Sequence, residues 1–306
     1  MSRGGAPGAL RALLAASPEG PRQRVLQLPA VHDGLTARVA EDAGFAAVFV
    51  SGNGVAASLL GGPDLGLVTM SESVAAARRI AAAVDVPVVH DADTGYGSAL
   101  NVVRAVRELE AAGVAAITLE DQTTPKRCGL LDSPPPVVEE EEYLGKVEAA
   151  VWGRSRDLVV VARTDALRSL GPRAALQRAR RAVERGADAA LVVGLRELDD
   201  VARAAEAVPA PLLVLVGEDG PLAGCTPRQL AGAGAAAAVH PGTVRYAVAG
   251  AARRALRALR EDGTSAAVRD GMVTPAQWHA LLGLEEAVRL EERFVRGSGG
   301  PAGPGG

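Results

Sequence analysis

Two cysteines, Cys128 and Cys225, are all that the 306 residues contain. That is too few for a disulfide scaffold and fits a reducing compartment, so a cytoplasmic location is expected. Large basic blocks are missing as well. Arginine pairs such as Arg180-Arg181 and Arg253-Arg254 are isolated and the formal net charge is -3, so nucleic acid is not the expected partner. Outside small-residue, alanine-rich stretches no apolar run approaches the roughly 18 residues of a spanning helix. The start, Arg3 followed by a Gly/Pro/Ala-rich stretch, lacks the apolar core of a signal peptide. No membrane partner is therefore expected. His32, His240 and His279 do not cluster with His90, and no His/Cys set has the spacing of a structural zinc site. A glycine-rich dinucleotide turn is also missing from the early part of the chain.

What is present is an alternation. Hydrophobic residues make up 48% of the chain, enough for one large core. Short apolar, β-branched runs occur at 25–31, 46–50, 86–90, 114–119, 158–163, 189–193, 211–216 and 236–240, as buried parallel strands require. Helical patterns follow at about 34–43, 71–83, 98–112, 139–152, 171–185, 196–207, 226–233 and 243–259. Ser71-Glu72 and Ser98 stand at helix starts, and Gly113 and Gly186 at helix ends. Eight strand–helix units predict an α/β fold, a closed (β/α)8 TIM barrel. An open doubly wound sheet is the alternative that periodicity alone leaves standing. The expected organisation is a flexible arm over 1–20 with one short helical piece near 9–16, a catalytic barrel over 21–260, C-terminal helices over 261–296 and a disordered tail over 297–306. The C-terminal helices carry Trp278, Leu281, Leu282, Leu284, Val288, Leu290 and Phe294. That apolar surface is expected to pack on its own barrel or on a neighbouring subunit.

A barrel brings the C-terminal ends of its strands to one face. Asp91 and Asp93 follow the third strand, Glu120 and Asp121 the fourth, and Arg163 and Asp165 the fifth. Asp64 lies in the long connection after the second. Carboxylates from separate elements suit Mg2+, a hard cation that prefers oxygen ligands, with Mn2+ as a substitute. Each Asp taken singly is as readily a helix cap or the partner of an arginine. Arg163 can clamp a substrate carboxylate or phosphonate, pair with Glu120 or Asp165, or do both. Residues 121–138 exceed an ordinary βα loop. They include Lys126-Arg127-Cys128-Gly129-Leu130 and suit a mobile lid whose cations lower the thiol pKa. Ser51-Gly52-Asn53-Gly54 reads as a turn whose amides and hydroxyl hold a carboxylate or an oxyanion, or as a structural glycine turn.

Together, Ser51-Gly52, Pro63-Asp64-Leu65-Gly66, Asp91-Ala92-Asp93-Thr94-Gly95-Tyr96-Gly97, Leu119-Glu120-Asp121-Gln122, Pro125-Lys126-Arg127-Cys128-Gly129 and Ala162-Arg163-Thr164-Asp165-Ala166 resemble the isocitrate lyase/phosphoenolpyruvate mutase superfamily. The resemblance is to its short-chain branch, which includes methylisocitrate lyase and carboxyphosphonoenolpyruvate phosphonomutase, and covers roughly residues 22–295. It implies a barrel whose eighth helix is exchanged between subunits of a homotetramer, a dimer of dimers. It also implies Mg2+ held mainly by Asp91 or Asp93, with Asp64 and Glu120 acting through water. Ser51, Gly52, Asn53, Gly129, Arg163 and Glu218 would contact a small carboxylate or phosphonate substrate. The catalytic set it implies is Cys128, as the acid that protonates the departing carbon, with Arg163, Lys126 and, as a candidate base, Tyr96.

Several positions depart from that pattern. Leu130 stands where the lyase lid has a histidine. Phe49-Val50 replaces a tyrosine before the Ser-Gly turn. Gly194-Leu195 replaces a glutamate after the sixth strand, and Leu215-Val216-Gly217-Glu218 keeps the glutamate but not the asparagine after the seventh. The implied activity is retro-aldol cleavage of a 2-hydroxy acid to a 2-oxo acid, on a substrate less charged than methylisocitrate. A phosphonomutase, an oxo-acid hydrolase or decarboxylase, and a non-catalytic barrel with an interaction role are the alternatives.

Overall fold

The computed structural model describes residues 6–15, 25–127, 133–155 and 157–294. Eight parallel strands close into a barrel in chain order. They are β1 (Leu26–Val31), β2 (Val48–Val50), β3 (Val88–Asp91), β4 (Ala116–Glu120), β5 (Val159–Thr164), β6 (Ala189–Val192), β7 (Leu212–Leu215) and β8 (Ala235–His240), and β8 pairs back onto β1. Closure excludes the open sheet. Every residue of β2, β3, β4 and β6 is buried, because strand faces turn alternately to the barrel interior and to the helices outside.

The helices are α1 (Ala6–Leu14), α2 (Gly34–Asp42), α3 (Gly52–Leu60), α4 (Met70–Ala83), α5 (Ala99–Ala112), α6 (Glu140–Gly153), α7 (Leu167–Leu170), α8 (Pro172–Glu184), α9 (Leu198–Ala207), α10 (Pro227–Gly232), α11 (Thr243–Asp262), α12 (Pro275–Leu281) and α13 (Leu284–Phe294). Local chemistry sets their ends. Ser98 opens α5 and Gly113 closes it in the left-handed region, as the sequence predicts. The start of α4, Met70, lies one residue before the expected Ser71. Thr69 is its N-cap, and the Glu72 carboxylate accepts from the Thr69 N–H at 2.8 Å, so a capping box outweighs the serine.

Two helices were not expected. Ser51-Gly52-Asn53-Gly54 is no free turn: Ser51 caps α3, its hydroxyl accepting from the Gly54 N–H at 3.2 Å. The two glycines hid this helix, since glycine is a poor helix former. The short α7 follows β5 directly.

Inside the barrel, inward side chains such as Leu28, Phe49, Val89, Val161, Leu191 and Leu213 form one cluster, into which Leu10 and Leu14 of α1 also pack. Arg11 of α1 donates to Asp188 at 2.8 Å. The α1 helix is thus anchored in part by apolar burial. Between barrel and helices lie two further clusters, around Ile80, Leu109 and Leu144 and around Val201, Leu212 and Leu230.

The chain divides into two compact units, 1–247 and 248–306. In the second, α12 and α13 contain no buried residue. Trp278, Leu282, Leu284, Val288 and Leu290 are 39–45% exposed. Among the described residues no helix is long and apolar enough to cross a membrane.

Candidate active site

A cavity of about 290 Å3 opens at the C-terminal mouth of the barrel, with Asp64, Asp91, Glu120, Lys126 and Arg163 among its lining residues. These come from β3, β4, β5 and two connections, so the pairing of neighbouring strands in the barrel brings them together. The inward positions of neighbouring strands face one another. Glu120 and Arg163 are paired across β4 and β5, and Arg163 Nη1 lies 2.9 Å from Glu120 Oε2. The same nitrogen is 3.5 Å from Asp91 Oδ2. The other edge of the guanidinium is bidentate on Asp165, at 2.8 and 3.1 Å. Pairing with Glu120 and Asp165 therefore holds, and the two-pronged face expected for a substrate is taken by Asp165.

Lys126 projects from the loop after β4 and is buried. Its ammonium donates to Asp64 Oδ2 at 2.8 Å and contacts Asp93 Oδ1. Gly52, the first residue of α3, sits against this group: a β-carbon there would stand 3.0 Å from both Asp93 Oδ1 and Lys126 Nζ. Any side chain at position 52 would fill the space between the acids and the lysine.

Five carboxylates, those of Asp64, Asp91, Asp93, Glu120 and Asp165, share two cations, Lys126 and Arg163. The protonation equilibria follow. Burial pushes Asp93 up to about 6, with Lys126 opposing and Asp91 and Asp64 adding to the rise. Burial also drives Glu120 well above the usual carboxylate range, against the pull of Arg163. Burial works the same way on Asp91, but Arg163 and Lys126 together outweigh it and hold that carboxyl low. Burial alone would discharge Lys126, yet Asp93, Asp91, Glu120 and Asp64 raise it well above its ordinary value. Beneath the acids, Tyr96 donates to Ser73 at 2.8 Å and Ser73 meets His90 Nε2 at 2.9 Å. Burial holds His90 down at about 4 and the Tyr96 phenol well above 10. Asp93 and Tyr96 both have left-handed backbones, with φ of 49° and 61°, a conformation uncommon for non-glycine residues and found at constrained sites.

Among the described residues, no three His, Cys, Asp or Glu side chains gather as a metal-ligand set. The four-carboxylate Mg2+ site expected from the sequence is therefore not assembled as a joint shell, because the Lys126 ammonium stands between Asp64 and Asp93. The donors still fit Mg2+, which binds through one or two carboxylates and keeps several waters. They are oxygen atoms, they carry surplus negative charge, and the buried Glu120 Oε1 has no hydrogen-bond partner.

A sequence profile of the phosphoenolpyruvate phosphomutase family matches residues 20–260. The chain belongs to the phosphoenolpyruvate mutase/isocitrate lyase superfamily. Within the superfamily it is 39% identical to 2,3-dimethylmalate lyase of Eubacterium barkeri, over 90% of this chain and 95% of the relative. The fold is similar to that of oxaloacetate acetylhydrolase bound to 3,3-difluorooxalacetate, with a TM-score of 0.88 and 35% identity, covering 98% of this chain and 99% of the other. It is also similar to phosphonopyruvate hydrolase bound to oxalate and Mg2+, with a TM-score of 0.81 and 33% identity, covering 96% and 100%.

The other expected superfamily site residues are distributed as follows. Ser51 and Asn53 line the cavity. Tyr96 and Asp93 line a separate pocket with Thr94, Thr124 and Lys126. Glu218 is not among the residues lining the cavity, and its carboxylate accepts from the Thr243 hydroxyl. Cys128, Gly129 and Leu130 lie outside the described residues. Asp121, expected at the rim, is a buried link between strands that accepts from Thr164 and from the Asp165 N–H at 2.7 and 2.8 Å. Arg245 lines the cavity and was missed. Its only signal was a charged residue a few positions beyond the end of β8.

Proposed function

We propose that this protein is a Mg2+-dependent carbon–carbon lyase that cleaves a 2-hydroxy acid into a 2-oxo acid and a second carboxylate. The observation that carries the reading is the convergence of Asp91, Glu120, Lys126 and Arg163 at one end of a single cavity. The likeness to 2,3-dimethylmalate lyase supports it. Asp91 and Asp93 would hold the ion, with Asp64 and Glu120 reaching it through water. Mg2+, when bound, supplies positive charge to the oxygens of the emerging 2-oxo acid. Arg163, through Nη1, and Lys126 stabilise the negative charge that develops at the same end. The backbone of Gly52 lets the substrate approach closely, and Ser51 and Asn53 orient it. Cys128 protonates the carbon released by cleavage, the role the superfamily resemblance implies, and Gly129 beside it contacts the substrate. We assign Tyr96 to positioning rather than proton abstraction, because its hydroxyl is donated to Ser73.

The apolar residues left exposed on α12 and α13 support assembly through the C-terminal helices, with exchange of a helix between subunits of a homotetramer. Analytical ultracentrifugation showing a monomer at micromolar concentration would refute that assembly.

The activity is tested by following 2-oxo acid release from a panel of 2-hydroxy acids, with and without EDTA. Release that needs the metal and falls by about 10²–10⁴-fold in Cys128→Ala supports the reading. Turnover indifferent to both changes refutes it. Phosphorus NMR on a phosphonate panel in the same samples tests the mutase or hydrolase alternative that the likeness to phosphonopyruvate hydrolase supports.

A further inference from the structure

The mouth of the barrel is charged on one half and apolar on the other. Following the inward positions up each strand, β3, β4 and β5 end on Asp91, Glu120 and Arg163. The lining contributed by β6, β7 and the residues just after them is Leu191, Val193, Gly194, Leu195, Leu215 and Gly217, with no charged side chain. The boundary falls between two neighbouring strands, since Arg163 pairs directly with Leu191 across β5 and β6. Phe49 from β2, Pro221 and Pro241 complete the apolar side. Two further charged side chains reach the lining, Arg127 from the loop after β4 and Arg245, which donates to the Pro241 carbonyl at 2.7 Å and lies over the Tyr246 ring.

From this division we propose that the substrate has two chemically distinct ends: a 2-hydroxy acid head, whose two carboxylates both lie at the charged half, and a hydrocarbon arm longer than a methyl group against Leu191, Val193 and Leu215. The inference rests on the lyase reading for the head and extends it to the arm. A further carboxylate at the end of that arm, pointed at β6 and β7, would lose water and meet no side-chain donor from either strand, which is costly. A hydrocarbon arm there gains from every methylene buried. The cavity, about 290 Å3, reaches the lower edge of the range that encloses a small organic molecule.

The test is calorimetric titration of the full-length protein, in Mg2+, with pyruvate, 2-oxobutanoate, 2-oxopentanoate and 2-oxohexanoate, and with 2-oxoglutarate as the dicarboxylate of matched length. Affinity is expected to tighten about fourfold per methylene, and 2-oxoglutarate to bind about tenfold more weakly than 2-oxopentanoate. Val193→Phe should lower the affinity for 2-oxohexanoate more than that for pyruvate. A flat or falling series with pyruvate still bound overturns the arm and leaves the lyase reading standing. Tighter binding of 2-oxoglutarate also overturns it and makes Arg245 an anion site instead. If pyruvate itself does not bind in Mg2+, both readings fall.

Discussion

Arg163 and Glu120 stand directly opposite each other on β5 and β4, with Nη1 2.9 Å from Oε2 and the glutamate almost wholly buried. Among the described residues the arginine is the only cation in ionic contact with Glu120, and it also serves Asp91 and Asp165. Removing it strands three buried acids. Arg163→Leu is expected to destabilise the fold by about 3–5 kcal/mol, the cost of breaking a buried pair from one side. Glu120→Gln should cost less, because no charge is left without a partner. Urea midpoints of the two variants check the order, and a larger loss in Glu120→Gln would contradict it.

The surplus of acids predicts that Mg2+ stabilises the folded chain. At a hundredfold excess over its dissociation constant the gain is about 2.7 kcal/mol, read as a rise in melting temperature that EDTA reverses. Asp91→Asn and Asp93→Asn should each remove most of that rise. Glu218→Gln should keep it, since Glu218 is bonded to Thr243 and is not among the residues lining the cavity.

Asp93 would make the proposed Mg2+ site sensitive to pH. Its carboxyl, lifted by burial to about 6, must lose its proton before it can bind a cation. Mg2+ affinity should therefore fall as pH drops through 6. Proton release on binding, measured by calorimetry in buffers of different ionisation enthalpy, should be clear at pH 6 and negligible at pH 8. Equal release at both would show that Asp93 is not the titrating ligand.

His90 and Asp93 pull the stability of the metal-free protein in opposite directions. His90 is held neutral by burial at about 4 against its ordinary 6.5. Between those values the unfolded chain binds the extra proton. Its contribution is thus full above 6.5 and is lost as pH falls towards 4, by about 3 kcal/mol at most. Asp93 is raised from 3.8 to about 6, so its contribution is full below 3.8 and is lost as pH rises through 6. In His90→Gln the acid-side loss should shrink and the metal-free protein should gain stability as pH falls from 6 to 4. Denaturation midpoints across that range, compared with the unsubstituted protein, carry the result.

Much of this was legible before any coordinates. The strands at 86–90 and 114–119 are short, apolar and bounded by turns, and they fold where that pattern puts them. A buried parallel strand needs little besides apolar residues and stops on both sides. Asp91, Glu120 and Arg163 were legible too, because a charged residue ending such a run has nowhere to go but the barrel rim. The α3 helix was not, because Gly52 and Gly54 resemble a turn until Ser51 caps them. Arg245 was hidden for a different reason: its place in the cavity depends on where α11 leaves β8, which no local pattern encodes.

The order of strands and helices, the motifs that mark the superfamily and the chemical types at the rim are properties of the sequence, since they follow from residue periodicity and neighbouring caps. Which acid faces which base is not. Lys126 between Asp64 and Asp93, Glu120 against Arg163, and the division of the mouth into a charged and an apolar half arise only when neighbouring strands and their connections pack side by side. Pairing of neighbouring strands brings side chains distant in sequence within 3 Å or so of one another, and at such separations in a buried site their charges and hydrogen bonds set the protonation states.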